Sequence, residues 1–143
     1  MKDLNDFHSL VEDFASIDDQ GQRADLLIEL SEDYIEVPDS IASRPYPDSL
    51  KVPGCESDVY LFAVPETSGN SFKYHFAVDN PQGISAMAMA AFIDQTLSGV
   101  ENSLVKDIDS EFVHTLFGKQ LSMGKGQGLT NMIMMVKSLA SKG

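Results

Sequence analysis

The sequence predicts an α+β domain in which a small antiparallel sheet packs against helices. Three observations carry the prediction. Apolar residues recur at helical spacing towards both ends of the chain. Two strand-like runs lie side by side in the middle, with turn residues between them. The length of 143 residues and the hydrophobic content of 43% suit one globular domain, residues 1–143, long enough to bury a real core. No internal repeat or linker divides the chain.

Leu4, Phe7, Leu10, Val11 and Phe14 form one stripe, so a first helix is predicted over Asp3 to Ser16. Asp18 or Asp19 can cap a second helix, Gln20 to about Tyr34, with Leu27, Leu30 and Tyr34 on one face. Val37 to Pro53 holds prolines at 38, 45, 47 and 53 and reads as an extended connection. Val59 to Val64 is apolar on both faces, as in a covered strand. In the next run Phe72, Tyr74, Phe76 and Val78 alternate with Lys73, His75 and Ala77, giving one buried and one more polar face. Ser68-Gly69-Asn70 supplies the turn between the strands.

Asn80 followed by Pro81 predicts a helix start, and the apolar run to about Leu97 predicts the central core helix, ended by Gly99. Short helical pieces are expected over Glu101 to Lys106 and Ser110 to Phe117. The last helix is predicted from Gln127 to about Ser141, with Leu129, Met132, Ile133, Val136, Leu139 and Ala140 in one stripe.

Acidic residues outnumber basic ones 22 to 10, for a net charge of −12. That balance argues against general affinity for nucleic-acid backbones or anionic membranes. It serves solubility, or steering toward a basic partner surface. No apolar stretch approaches the roughly 18 residues of a membrane-spanning helix. The polar, acidic start of the chain has no secretory-signal pattern. One cysteine beside seven methionines points to a reducing compartment, and the cytoplasm is the expectation.

That one cysteine, Cys55, is the most informative residue. It follows Pro53-Gly54, a pair suited to the centre of a type II turn, and precedes a strand. A structural cysteine more often lies within an apolar element. Cys55 is therefore read as a thiol presented on a loop, with no second cysteine in the chain for a disulfide. Glu56 and Asp58 flank it and are expected, with partial burial, to disfavour the thiolate. Lys51 and Lys125 are the cations that can offset them. These residues alone leave open an inert loop thiol. The loop from Lys51 to Asp58 is expected at one end of the sheet, against the start of the last helix.

Other constellations are weaker. His8, His75 and His114 show no metal-ligand spacing with one another or with Cys55. Gly124-Lys125-Gly126-Gln127-Gly128 lacks the spacing and hydroxyl residue of a P-loop, and reads as a loop leading into a helix. Met87 and Met132 fall on core stripes, whereas Met134 and Met135 lie off them. No G-x-S-x-G marks a serine nucleophile.

Val52-Pro53-Gly54-Cys55-Glu56-Ser57-Asp58-Val59-Tyr60 resembles the signature of the SufE family, approximately (V/I)-x-G-C-Q-S-Q-V-W. The resemblance extends over nearly the whole chain. Leu26-Leu27-Ile28-Glu29-Leu30 resembles the family's second helix, and Val78-Asp79-Asn80 its entry to the central helix. Leu121-Ser122, Gly128-Leu129 and Met132-Ile133 resemble its final L-(S/T)-x-x-R-x-x-G-L-x-x-M-I segment. Glu56 and Asp58 replace the two glutamines, Tyr60 the tryptophan, and Lys125 the arginine.

The resemblance implies a SufE/IscU-like fold and a sulfur-transfer accessory protein. Cys55 would accept sulfane sulfur as a persulfide from a SufS-type cysteine desulfurase, stimulate that enzyme, and pass the sulfur to iron–sulfur scaffold proteins. It implies no cofactor and no metal in this chain, since the pyridoxal phosphate belongs to the desulfurase. Gly54, Glu56, Asp58 and Lys125 become supporting candidates around Cys55. SufU- and IscU-type scaffolds share a similar fold but use three cysteines, so a scaffold role is disfavoured. Two other readings stay open: an allosteric desulfurase activator in which Cys55 is incidental, and a cysteine hydrolase, which needs a histidine beside the thiol.

Overall fold

Phe7 and Phe14, two turns apart, are the buried stripe of the first helix, α1 (Asn5–Ala15). The computed structural model describes residues 2–55, 58–67, 69–79, 83–118 and 123–143, with the side chains of residues 123–125 left out of the description. The second helix, α2 (Gln20–Glu32), begins where Asp19 Oδ2 accepts the backbone N–H of Gln22 at 2.9 Å, a side-chain N-cap.

Two strands follow, β1 (Val59–Pro65) and β2 (Phe72–Val78), paired antiparallel with Val59 opposite Val78 and Leu61 opposite Phe76. Because side chains alternate, Val59, Leu61, Tyr74, Phe76 and Val78 share one face and enter the main core. The helix α3 (Ile84–Leu97) lies in the same core, buried from Ala88 to Ile93 without a break, as expected of a helix apolar on most sides. Two short helices, α4 (Asn102–Val105) and α5 (Phe112–Phe117), lead to the long α6 (Met123–Lys142). Phe7, Phe92 and Phe112, with ring centroids 5.0 to 5.6 Å apart, knot α1, α3 and α5 together. The guanidinium of Arg23 donates to the carbonyls of Phe14, Ile17, Thr115 and Leu116, tying the ends of α1 and α5 to α2. The fold is α+β, as the sequence predicts.

The proline-rich connection is more than a link. Val37, Tyr46 and Leu50 cover Tyr60, Phe62 and Ala77 on the second face of the sheet, forming a separate small cluster. Val37 donates its N–H to the Phe76 carbonyl at 2.8 Å. Tyr34 Oη donates to the same carbonyl and accepts the N–H of Val78. The free edge of β2 is thus closed at this end, which limits stray strand pairing. Farther along, Ser98 Oγ accepts the N–H of Tyr74, and Gly99 donates to Phe72.

Two predicted starts are displaced. α3 begins at Ile84 with Gly83 as its N-cap residue, later than the start read at Asn80 and Pro81, which lie outside the described residues with Gln82. α6 begins at Met123, so the helix runs through the glycine-rich segment read as a loop. Among the described residues, no helix is long and apolar enough to cross a membrane.

Candidate functional site

The turn that carries Cys55 is set by its glycine. Gly54 has φ +80°, the left-handed value a type II turn requires at this position and one that side chains with a Cβ disfavour. The stem of the loop is fastened to the sheet. Val52 donates to the Val59 carbonyl at 2.7 Å, and Asp79 donates its N–H to the Asp58 carbonyl at 2.9 Å. Across the stem, Lys51 Nζ lies 3.0 Å from Asp58 Oδ1. The Asp58 carboxylate therefore pairs with Lys51, and its hydrogen bond raises the lysine's pKa.

The tip is docked on α6. A Cβ added at Gly128 would stand 2.8 Å from both Cys55 Cα and the Gly54 carbonyl oxygen, so only glycine permits this approach of loop to helix. Cys55 Sγ donates to the Gly128 carbonyl at 3.5 Å. Asn131, nearly one turn farther along α6, donates from Nδ2 to the Pro53 carbonyl at 2.9 Å. Its Oδ1 accepts from Gln127 Nε2 at 3.1 Å. The loop thus lies at the start of β1 and against the early turns of the last helix.

Cys55 is partly buried against the main core. Burial pushes its thiol up to about 11 from an ordinary value of 9.0. The hydrogen bond to a carbonyl acts the same way, since only the protonated thiol can donate. At pH 7 a thiol with pKa about 11 is thiolate in only about one molecule in ten thousand. Among the described residues the expected partial burial is what raises the thiol, and Asp58 is engaged with Lys51. Glu56 lies outside the described residues, and so does the Lys125 side chain, although the Lys125 backbone is in α6.

The histidines do not supply the hydrogen-bond partner of Cys55. His8 meets Phe7 edge-on on α1, His75 stands opposite Phe62 in mid-sheet, and His114 is on α5. Burial, then Lys73, holds His75 below the ordinary imidazole range. Among the described residues, no three of His, Cys, Asp and Glu gather as a metal site. Sequence reasoning missed Asn131. A signal was present, since Gly128 and Asn131 share one face of a helix, but only the docked loop gives that face a meaning.

A family model, SufE, described as "Fe-S metabolism associated domain", matches residues 8–140. No curated protein sequence matches the chain. The fold is similar to that of the solution structure of a hypothetical protein from Thermus thermophilus, with a TM-score of 0.76 and 17% identity. That match covers 98% of this chain and 96% of the other.

Proposed function

The chain belongs to the SufE family, whose domain is associated with iron–sulfur metabolism, and on that premise we propose that Cys55 is a sulfur acceptor. It takes sulfane sulfur from a persulfide on a SufS-type cysteine desulfurase. The Cys55 thiolate attacks the outer sulfur of the donor persulfide. The sulfur–sulfur bond of the donor breaks, and the donor cysteine leaves as a thiolate. The proton given up by Cys55 balances the charge of the leaving thiolate. Cys55 now carries the persulfide and passes its sulfur to an iron–sulfur scaffold protein in the cytoplasm. The chain brings no metal or cofactor of its own to this reaction; the pyridoxal phosphate is the desulfurase's.

The observation that carries this reading is the placement of the chain's sole thiol on a glycine-permitted turn, docked on α6. A thiol held this way resists oxidation in the free protein, because the thiolate is the reactive form. Undocking places it in water, where its pKa returns toward the ordinary value.

Intact-mass measurement tests the proposal. Incubation with a SufS-type desulfurase and cysteine is expected to add the mass of one sulfur atom, or a short chain of them, to the protein. Dithiothreitol should remove the added mass by thiol exchange, and Cys55→Ser should prevent its appearance. No mass gain in the wild-type protein would count against the acceptor role. Stimulation of the desulfurase by Cys55→Ser, undiminished, would favour the activator reading.

A further inference from the structure

Among the described residues, two sets of bonds that break in different events hold the cysteine loop. The stem bonds join the loop to the sheet: Val52 to Val59, Asp79 to Asp58, and the ion pair of Lys51 with Asp58. The tip bonds join it to α6: Cys55 Sγ to Gly128, and Asn131 Nδ2 to the Pro53 carbonyl. Lifting the tip breaks the second set and can leave the first intact. The thiol bond is long, 3.5 Å, and sulfur is a weak donor. The amide bond at 2.9 Å is the stronger of the two.

Asn131 is oriented for this contact. Its Oδ1 is occupied by the Gln127 amide, which leaves Nδ2 directed at the Pro53 carbonyl. A Cβ at Gly54 would come within 3.1 Å of that Nδ2, so Gly54 gives the turn its shape and also gives Asn131 its room. Sequence spacing hides the relation, because Pro53 and Asn131 are 78 positions apart.

We propose that Asn131 is a positioning residue for Cys55, a latch on α6 that holds the loop tip docked and sets how often the thiol is exposed. The proposal deepens the sulfur-acceptor reading and rests on it for its biological meaning. Asn131 acts on the equilibrium between docked and lifted loop, through the Pro53 carbonyl. A desulfurase that competes for the loop has to break this bond, so the latch sets a threshold against modification in the absence of the partner.

The test uses the isolated full chain and iodoacetamide. When only the lifted loop reacts and docking is fast, the alkylation rate is proportional to the lifted fraction. Asn131→Ala removes the bond; Asn131→Leu removes it while keeping a side chain of similar shape beside Gly54. Loss of one net hydrogen bond should raise the alkylation rate of Cys55 about fivefold in both variants. The midpoint of the alkylation–pH profile should fall, because a lifted thiol is hydrated. The thermal midpoint should move by only a few degrees, which separates lifting of the loop from global unfolding. An unchanged alkylation rate in both folded variants would overturn the latch. A rise that only follows a large loss of thermal stability would overturn it as well. Sulfur loading of the wild-type chain is read separately by intact mass, so failure of the latch and failure of the acceptor role give different results.

Discussion

At the scale of the residue, burial is what perturbs the thiol of Cys55 among the described residues. Glu56 and Asp58 invite an argument from like charge, yet the Asp58 carboxylate is paired with Lys51 at 3.0 Å. Among the described residues burial is the largest cause acting on the thiol, and it pushes the pKa up to about 11. The sign for stability follows. A thiol is neutral when protonated, so the docked state holds its proton more tightly than the unfolded chain, whose value lies near 9.0. The docked loop therefore keeps its full stability below about pH 9 and loses it as pH rises toward 11. At most this amounts to about 3 kcal/mol, two pKa units at 1.36 kcal/mol each. Thiolate absorbance followed against pH should show a native midpoint well above that of the chain in denaturant. A native midpoint below the denatured one would contradict the docked, buried thiol.

At the scale of the element, α6 shows why part of the site was illegible. Gly124, Gly126 and Gly128 together argue for a loop, because each glycine costs roughly 1 kcal/mol in a helix interior relative to alanine. The helix nevertheless starts at Met123. At Gly128 the glycine answers a tertiary demand, the approach of the Cys55 backbone, which no window of local sequence displays. The proline-rich connection hid its role likewise: Val37, Tyr46 and Leu50 have no period, yet they cover one face of the sheet. Where pattern and packing agree, as in α1, β1 and β2, the sequence was sufficient.

The same helix yields a prediction in which two effects oppose. Gly128→Ala improves helix propensity by roughly 1 kcal/mol. It also sets a Cβ 2.8 Å from two backbone atoms of the loop, where overpacking costs about 1–3 kcal/mol. Backbone cannot step aside as a flexible side chain can, so the loop should leave the helix. Cys55 alkylation is expected to rise more than tenfold, with helical circular dichroism retained and thermal stability no higher than in the wild type. A variant that is more stable and alkylates no faster would show that the contact is readily relieved.

At the scale of the whole molecule, the core and the thiol are separable. The largest fully buried side chains, among them Tyr74, Phe14, Phe92 and Phe117, are spread over α1, β2, α3 and α5. Cys55 packs at the margin of that core and is only partly buried. This arrangement explains why fold class was legible while the site was only half legible. The α+β order follows from apolar periods that are local in sequence. The docking of Cys55 on Gly128 joins positions 73 apart, for which periodicity has no vocabulary.

Separability can be measured with Cys55→Ser. A serine hydroxyl can still donate toward the Gly128 carbonyl, and the loop stem keeps its own bonds to Val59 and Asp79. What is lost is the burial of one sulfur at the edge of the core, worth at most about 1 kcal/mol on the scale of a buried methylene. For a domain of this length that corresponds to a fall in thermal midpoint of about 2–4 °C. Thermal unfolding monitored by circular dichroism should give a shift within that range. A fall of more than about 10 °C would mean that the docked thiol helps to hold the core together, and the loss of sulfur loading in Cys55→Ser would then have two causes. A small shift leaves one: the fold persists, and the atom that would carry the sulfur is gone.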